Sequence, residues 1–229
     1  QTIQTRPNFT QQEENIPRFL CHHPQNDTLF ITNATEVLEF NPRTSELKTV
    51  IDTQATGFQY ISKPDFAFGR LKQCAVSKEG ILYLYDSKVE EVYSVDLRQK
   101  AIQNLQYVPY GKAIATPKFS YLADFTVTNK GEVLISDRDY LLHIKGLNTT
   151  LLFRTQRAVP IYKGLFPQKI SEKYPLTIDA DFTLINAIAA DHKGNIYITN
   201  SHQKAFLKLT SDGWVFLVDP KGIKTFENE

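Results

Sequence analysis

Methionine is missing from all 229 residues, tryptophan occurs once and cysteine twice. Translation starts at Met, so a chain opening Gln1-Thr2-Ile3 leads us to expect processing by removal of a secretory signal peptide. The alternative is that the sequence is part of a longer chain. Charge of one sign is also missing. The 26 Lys and Arg face 25 Asp and Glu for a net charge of +1, which excludes the bulk field that nucleic acid or an anionic membrane would exploit. Nor is there an apolar run of about 18 residues, the length that would span a bilayer. What is present, 41% hydrophobic and 22% charged residues, is a globular composition rather than a disordered or collagen-like one. The length suits one domain or two small ones with a real core. Asn8, Asn26, Asn33 and Asn148 each open an Asn-X-Ser/Thr sequon, and three of the four fall in expected turns. They are candidate glycosylation sites and add to the expectation of a secreted chain.

One phrase recurs four times. Its clearest copy is AIAADHKGNIYITN at 187–200, with others at 124–137 (DFTVTNKGEVLISD), 73–86 (QCAVSKEGILYLYD) and 20–33 (LCHHPQNDTLFITN). Each copy is an alternating apolar stretch, a polar turn with Gly or Asp, and a second alternating stretch ending in Asp or Asn. Period-two alternation around such a turn is a hairpin signal. Two more strand-like runs follow every copy, at 37–40 and 47–50, 89–95 and 101–105, 140–144 and 150–153, and 205–209 and 214–218. Four strands per unit and four units predict an all-β chain, a β-propeller with blades near 18–51, 71–108, 122–154 and 185–218. Residues 1–17 are read as an N-terminal arm and 221–229 as a tail around a propeller at 18–220. The recurring Asp86, Asp137 and Asn200 sit where a side chain caps a turn.

Gly194 to Asn200, followed by Lys204 to Gly213, resembles an NHL-type blade and equally a blade of the SMP-30/gluconolactonase superfamily. The resemblance is strongest over 185–218 and weakest over 18–51, and it implies architecture rather than chemistry. Blade number is open. The phrases start about 53, 51 and 63 residues apart, beyond the roughly 40–45 of a usual blade. A four-bladed ring is expected, with a five-bladed ring or part of a six-bladed ring as alternatives.

Cys21 and Cys74 align at one phrase position, filled by Phe125 and Ile188 elsewhere. Equivalent positions on neighbouring inner strands are usually beyond the 7 Å or so that a bridge allows between Cα atoms. Two buried small hydrophobes are therefore expected, while an even count in a secreted chain leaves a disulfide open.

The long connections 52–70, 109–121 and 154–184 would open on one face, where a rigid scaffold usually carries function. They interleave aromatics with cations: Tyr60, Phe66, Phe68, Arg70, Tyr110, Lys112, Tyr121, Tyr162 and Phe166. The functional reading is a pocket for a small aromatic or anionic ligand, or a surface for a partner protein. The plainer reading is that long loops pack on their own aromatics. The SMP-30 resemblance implies a divalent cation such as Ca²⁺ on the axis, held by a Glu, two Asn and an Asp. Only Asn186 stands at the corresponding place. Asp124, aided by Asp179 or Asp181, would add few of the six to eight oxygens Ca²⁺ needs, and no Glu matches. Scattered His22, His23, His143, His192 and His202 show no ligand spacing. No G-x-S-x-G, Walker or Rossmann motif occurs. The expected protein is a secreted propeller without catalytic residues and without a cofactor, binding a small molecule at its loop-bearing face. The superfamily's insect haemolymph pigment carriers offer an analogy of fold. A protein-interaction propeller is the competing class, and an SMP-30-like metal-dependent lactonase the third.

Overall fold

The computed structural model describes residues 16–60, 67–105, 108–109, 122–137, 140–145, 148–154, 185–191, 193–200, 205–210 and 213–218. All regular elements among these are strands. Four antiparallel meanders carry the fold. The first comprises β1 (Phe19–His22), β2 (Leu29–Thr32), β3 (Val37–Asn41) and β4 (Glu46–Ile51). The second joins β6 (Leu71–Val76), β7 (Ile81–Asp86), β8 (Glu91–Asp96) and β9 (Ala101–Asn104), with the two-residue β5 (Gln59–Tyr60) outermost. The third joins β11 (Leu122–Val127), β12 (Val133–Asp137), β13 (Tyr140–Lys145) and β14 (Asn148–Arg154), with β10 (Val108–Pro109) outermost. The fourth comprises β15 (Ala187–Ala190), β16 (Ile196–Asn200), β17 (Ala205–Thr210) and β18 (Gly213–Val218). The chain divides into two compact units. Residues 1–105 with 116–119 hold the first two sheets, and 106–115 with 120–229 the last two.

The hairpin that opens each sheet follows from its turn chemistry. In three sheets the turn starts with Ser77, Thr128 or Asp191, whose side-chain oxygen accepts backbone N–H groups at 2.8–3.3 Å. Its fourth residue is Gly80, Gly131 or Gly194, at φ +87°, +74° and +85°. A left-handed residue is needed there, and glycine supplies it without a Cβ clash. In the first sheet Asp27 takes that conformation, at φ 62°.

That first turn also explains the cysteines. Between paired strand ends lie residues 77–81, 128–132 and 191–195 in three sheets, but 23–28 in the first, one more. The phrase therefore slips by one residue on β1. Cys21 pairs with Phe30 across the strands, and its counterpart in the fourth sheet is Ala189, not Ile188; Cys74 does match Ile188. A slip of one turns a side chain to the opposite face. Cys21 thus faces the second sheet while Cys74 faces the first, and they form a disulfide with Cα atoms 5.7 Å apart. The expectation of two unpaired buried thiols is corrected: equivalent positions would point the same way around the fold, but these two are not equivalent.

Each unit buries one sandwich core. In the first, Phe30, Val37 and Ile51 meet Leu71, Leu82, Leu84, Val95 and Ile102. In the second, Leu134, Leu141 and Leu152 meet Ile188, Ile196, Ile198 and Leu207. The earlier sheet offers one face and the later sheet the opposite one, as period-two alternation requires. The long connections have an unexpected use. In both units the incoming chain first adds a short parallel strand outside the next sheet, β5 on β9 and β10 on β14. Two residues carry no periodicity, so sequence reading missed both strands.

Candidate functional site

The loop aromatics separate into packing residues and residues outside the described set. Phe68 is 3% exposed in the first unit's core and meets Tyr93 edge-on, ring centroids 5.8 Å apart. Tyr60 ends β5. Its ring lies 6.2 Å from that of Tyr93, and its hydroxyl donates to Asn104 Oδ1. Asn104 Nδ2 and the Tyr93 hydroxyl both donate to Glu91 Oε2, at 2.9 and 2.7 Å. Burial, and then the bond to that carboxylate, push the Tyr93 phenol far above its ordinary range. Tyr60 and Phe68 thus pack on Tyr93 within the first unit. Arg70 is exposed; its backbone N–H donates to Asp86 Oδ1 at 2.9 Å. Asp86, buried, also accepts from Gly69 and Lys88 backbone nitrogens and so pins the loop ahead of β6. Phe66, Tyr110, Lys112, Tyr121, Tyr162 and Phe166 lie outside the described residues, as do Asp179 and Asp181.

Asp124 and Asn186 lie at the inner strands of the second unit. Asp124 Oδ1 accepts from Phe125 N and Oδ2 from Ile188 N, both at 2.9 Å. The carboxylate thus stitches β11 to β15. Burial raises its pKa while these two bonds pull it down, and the net direction is upward. A half-buried carboxylate held by two backbone donors is a poor start for a Ca²⁺ shell. Asn186 is exposed, and its backbone N–H donates to Thr199 O at 2.9 Å. Among the described residues no group of three His, Cys, Asp or Glu is arranged to hold a metal. His22 bonds Asp27 at 2.9 Å, and His143 bonds Glu132 at 2.8 Å, whose other carboxylate oxygen meets Lys145 Nζ at 3.1 Å.

The sequons also divide. Asn26 is exposed in the β1–β2 turn, its Oδ1 accepting from Thr28. Asn33 is buried; Oδ1 accepts from Thr35 and Glu36 backbone nitrogens and Nδ2 donates to Glu36 at 3.0 Å. An amide so enclosed is a poor place for a glycan, and exposed Asn26 is the better acceptor of the two. Asn148 opens β14; its side chain and all of Asn8 lie outside the described residues.

A feature the sequence reading missed lies on the fourth sheet. Ala187, Ile188, Ala189, Tyr197, Thr199 and Phe206 line an open cavity of about 250 Å³. Ala187 and Ala189 are exposed alternate residues of β15, opposite Thr199 and Tyr197 in register. Tyr197 and Phe206 stack at 5.8 Å and 29°, and Lys208 Nζ sits 5.9 Å from the Tyr197 centroid. The Tyr197 hydroxyl donates to Asp191 Oδ2 at 3.0 Å. Burial and that bond raise its pKa, keeping the phenol neutral. The alanine spacing was the available signal, since the other inner strands carry mostly larger residues at those places.

No family model and no curated protein sequence matches the chain. Solved structures do. A streptogramin B lyase aligns at a TM-score of 0.53 with 10% identity, covering 90% of this chain and 56% of that one. The virginiamycin B lyase of Staphylococcus aureus aligns at 0.52 with 11% identity, covering 90% and 56%. U3-55K aligns at 0.52 with 8% identity, covering 87% and 51%. The chain spans about half the length of each of these three structures. At such identity the likeness carries the fold alone. The chain is all-β, a β-propeller built of small antiparallel sheets. Among the described residues no helix is long and apolar enough to cross a membrane.

Proposed function

We propose that this protein is a non-catalytic, NHL/SMP-30-like propeller that binds a small aromatic or anionic molecule and works outside the cell as a carrier. The observation that carries the reading is the state of Asp124. It is a carboxylate that a metal-dependent site beside Asn186 would draw on, and it accepts from the Ile188 and Phe125 backbone. With that carboxylate so engaged a lactonase-type centre has one ready oxygen ligand fewer, whereas binding needs only a shaped apolar surface with a few polar groups. A disulfide between inner strands fits an oxidising compartment, and exposed Asn26 fits glycosylation there. Native mass spectrometry of protein from its source tests the whole reading. Expected are a ligand adduct, glycan mass and an intact disulfide; a bare, unglycosylated chain overturns it.

Exposed apolar residues on and before β1 favour a second reading, a protein-interaction propeller. Ile16 is 54% and Leu20 60% exposed. In that case the purified protein carries no small molecule but co-purifies in a fixed ratio with a partner, and replacing Leu20 with Lys releases it.

A further inference from the structure

We propose that Pro24 is a register-setting residue: it denies the first turn its opening N–H, moves β1 one residue along β2, and so brings Cys21 round to Cys74. The inference uses the first unit alone and stands apart from the carrier reading above.

The four opening turns carry the argument. Aligned on the left-handed residue (Gly80, Gly131, Gly194 or Asp27), the recurring phrase puts Ser77, Thr128, Asp191 and Pro24 at one position. In three turns that residue has three tasks. Its N–H donates to the carbonyl four residues on, Ser77 to Ile81, Thr128 to Glu132 and Asp191 to Asn195, at 2.8–3.0 Å. Its carbonyl accepts from the glycine N–H, at 3.0 Å in each case. Its side-chain oxygen accepts at least one further backbone N–H. Proline has neither the N–H nor a side-chain acceptor and can perform only the second task. All three pass to the residue before it. His23 N donates to Thr28 O at 2.8 Å, His23 O accepts from Asp27 N at 3.2 Å, and His23 Nδ1 accepts from Gln25 N at 3.2 Å. Thr28 is 5% exposed, so its carbonyl could not turn to water instead. Leaving it unpaired costs more than adding one residue to a turn, and the turn lengthens.

The strand itself does not choose. Phe19-Leu20-Cys21-His22 carries an apolar residue toward each face, and such alternation specifies register weakly. The neighbouring turn suits the longer one. His23 is 8% exposed beside Phe30, ring centroids 6.2 Å apart, and a Cβ on Gly80 would come 3.0 Å from its Nε2. With an N–H restored at position 24, the shorter turn becomes available. Cys21 would then stand opposite Ile31 instead of Phe30 and face away from the second sheet, and His22 would take its place opposite Phe30. The disulfide follows from the register and does not cause it.

The test refolds the full, reduced chain in a glutathione buffer and maps bridges by peptide mass spectrometry. Glutathione disulfide takes up the two electrons and two protons of each bridge and leaves as two glutathione thiols. Wild type is expected to bridge Cys21 to Cys74. Pro24→Ser restores donor and acceptor and is expected to lower that bridged fraction about 10-fold, the scale of one buried backbone hydrogen bond. Pro24→Ala restores the donor alone and should fall between. A second pair of variants separates a moved strand from a misfolded chain. Cys21→Ser with His22→Cys should leave Cys74 unbridged while Pro24 is present, and should bridge residue 22 to Cys74 once Pro24→Ser is added. That gained bridge reads the new register directly. Wild-type bridging in Pro24→Ser overturns the proposal. So does a bridge from residue 22 formed with Pro24 in place, or none formed when Pro24→Ser is added.

Discussion

The two units use one plan and close it with different chemistry. In each, an earlier sheet and a later sheet trap a core of Leu, Ile and Val, and in each the inner strands of the pair need a link. The first unit links β1 to β6 covalently, through Cys21 and Cys74. The second links β11 to β15 with a carboxylate, Asp124 Oδ2 to Ile188 N. The covalent link became possible because one added turn residue rotated Cys21 to the inward face, while the polar link uses the unslipped register. A single-residue difference in turn length therefore decides which chemistry can reach across. The two links should also differ in strength: a disulfide restrains the unfolded chain, whereas a buried carboxylate is partly opposed by its own desolvation.

The sharpest way to break the comparison is to remove the disulfide. With a sequence separation of 53 residues, its loss in a Cys21→Ala, Cys74→Ala chain is expected to cost about 4 kcal/mol in the loop-entropy account. Hydrogen exchange read strand by strand should show β1 and β6 losing protection while β11 and β15 change little. Equal loss in both units would mean that the link does not belong to its own pair of sheets.

Removing the polar stitch comes next. Asp124→Ala leaves the Ile188 and Phe125 N–H groups without their acceptor, and about 2 kcal/mol is expected, from roughly 1–3 per buried unsatisfied group. The loss should appear at β11 and β15. Denaturant titration of the two variants orders the links, and an Asp124 effect exceeding that of the disulfide would reverse the argument.

The turn glycines give a smaller, cleaner contrast. Gly80 and Gly194 share a left-handed conformation, but a Cβ on Gly194 would meet nothing within 4 Å, whereas one on Gly80 would come 3.0 Å from His23 Nε2. Gly194→Ala should cost about 1 kcal/mol for backbone conformation alone. Gly80→Ala should cost about 1 kcal/mol more through overpacking on His23. Equal costs would show that His23 yields freely.

Strands were legible because alternation and glycine turns are local. Tyr197, Ile198, Leu207 and their counterparts could each be placed on a face from neighbours two residues away. The disulfide was not, because matching phrases by their final Asp or Asn hides an extra residue in the turn before β2. Counting turn residues at 23–28 would have exposed it. Among the loop residues, Tyr60 and Phe68 show why composition left two readings open: an aromatic beside a lysine reads the same whether it lines a pocket or packs on a neighbouring ring. Asp124 stood out in the sequence as a carboxylate on an inner strand and a candidate oxygen ligand, but its backbone partner lies 64 residues away and leaves no trace in sequence.

Acid should finally pull the two units in opposite directions. His23 is buried, with Nδ1 accepting from Gln25 N at 3.2 Å. Burial lowers its pKa, Glu39 opposes this, and Arg98 and His22 add to it. An unfolded histidine takes up its proton near pH 6.5, about where the folded one still resists. The first unit therefore loses stability as pH falls below that point, until the folded pKa is passed. Asp124 has the opposite sign. Its raised folded pKa means that stability contributed by the second unit falls as pH climbs from about 3.9 through the folded value, and returns as pH is lowered. Exchange protection measured between pH 7 and 4 should thus decline at β1 and β6 and hold or rise at β11 and β15. His23→Asn keeps an acceptor for Gln25 without titrating and should flatten the first trend. Asp124→Asn should flatten the second. Parallel slopes in both units, unmoved by either variant, would show that neither buried group governs the acid response of its own sheets.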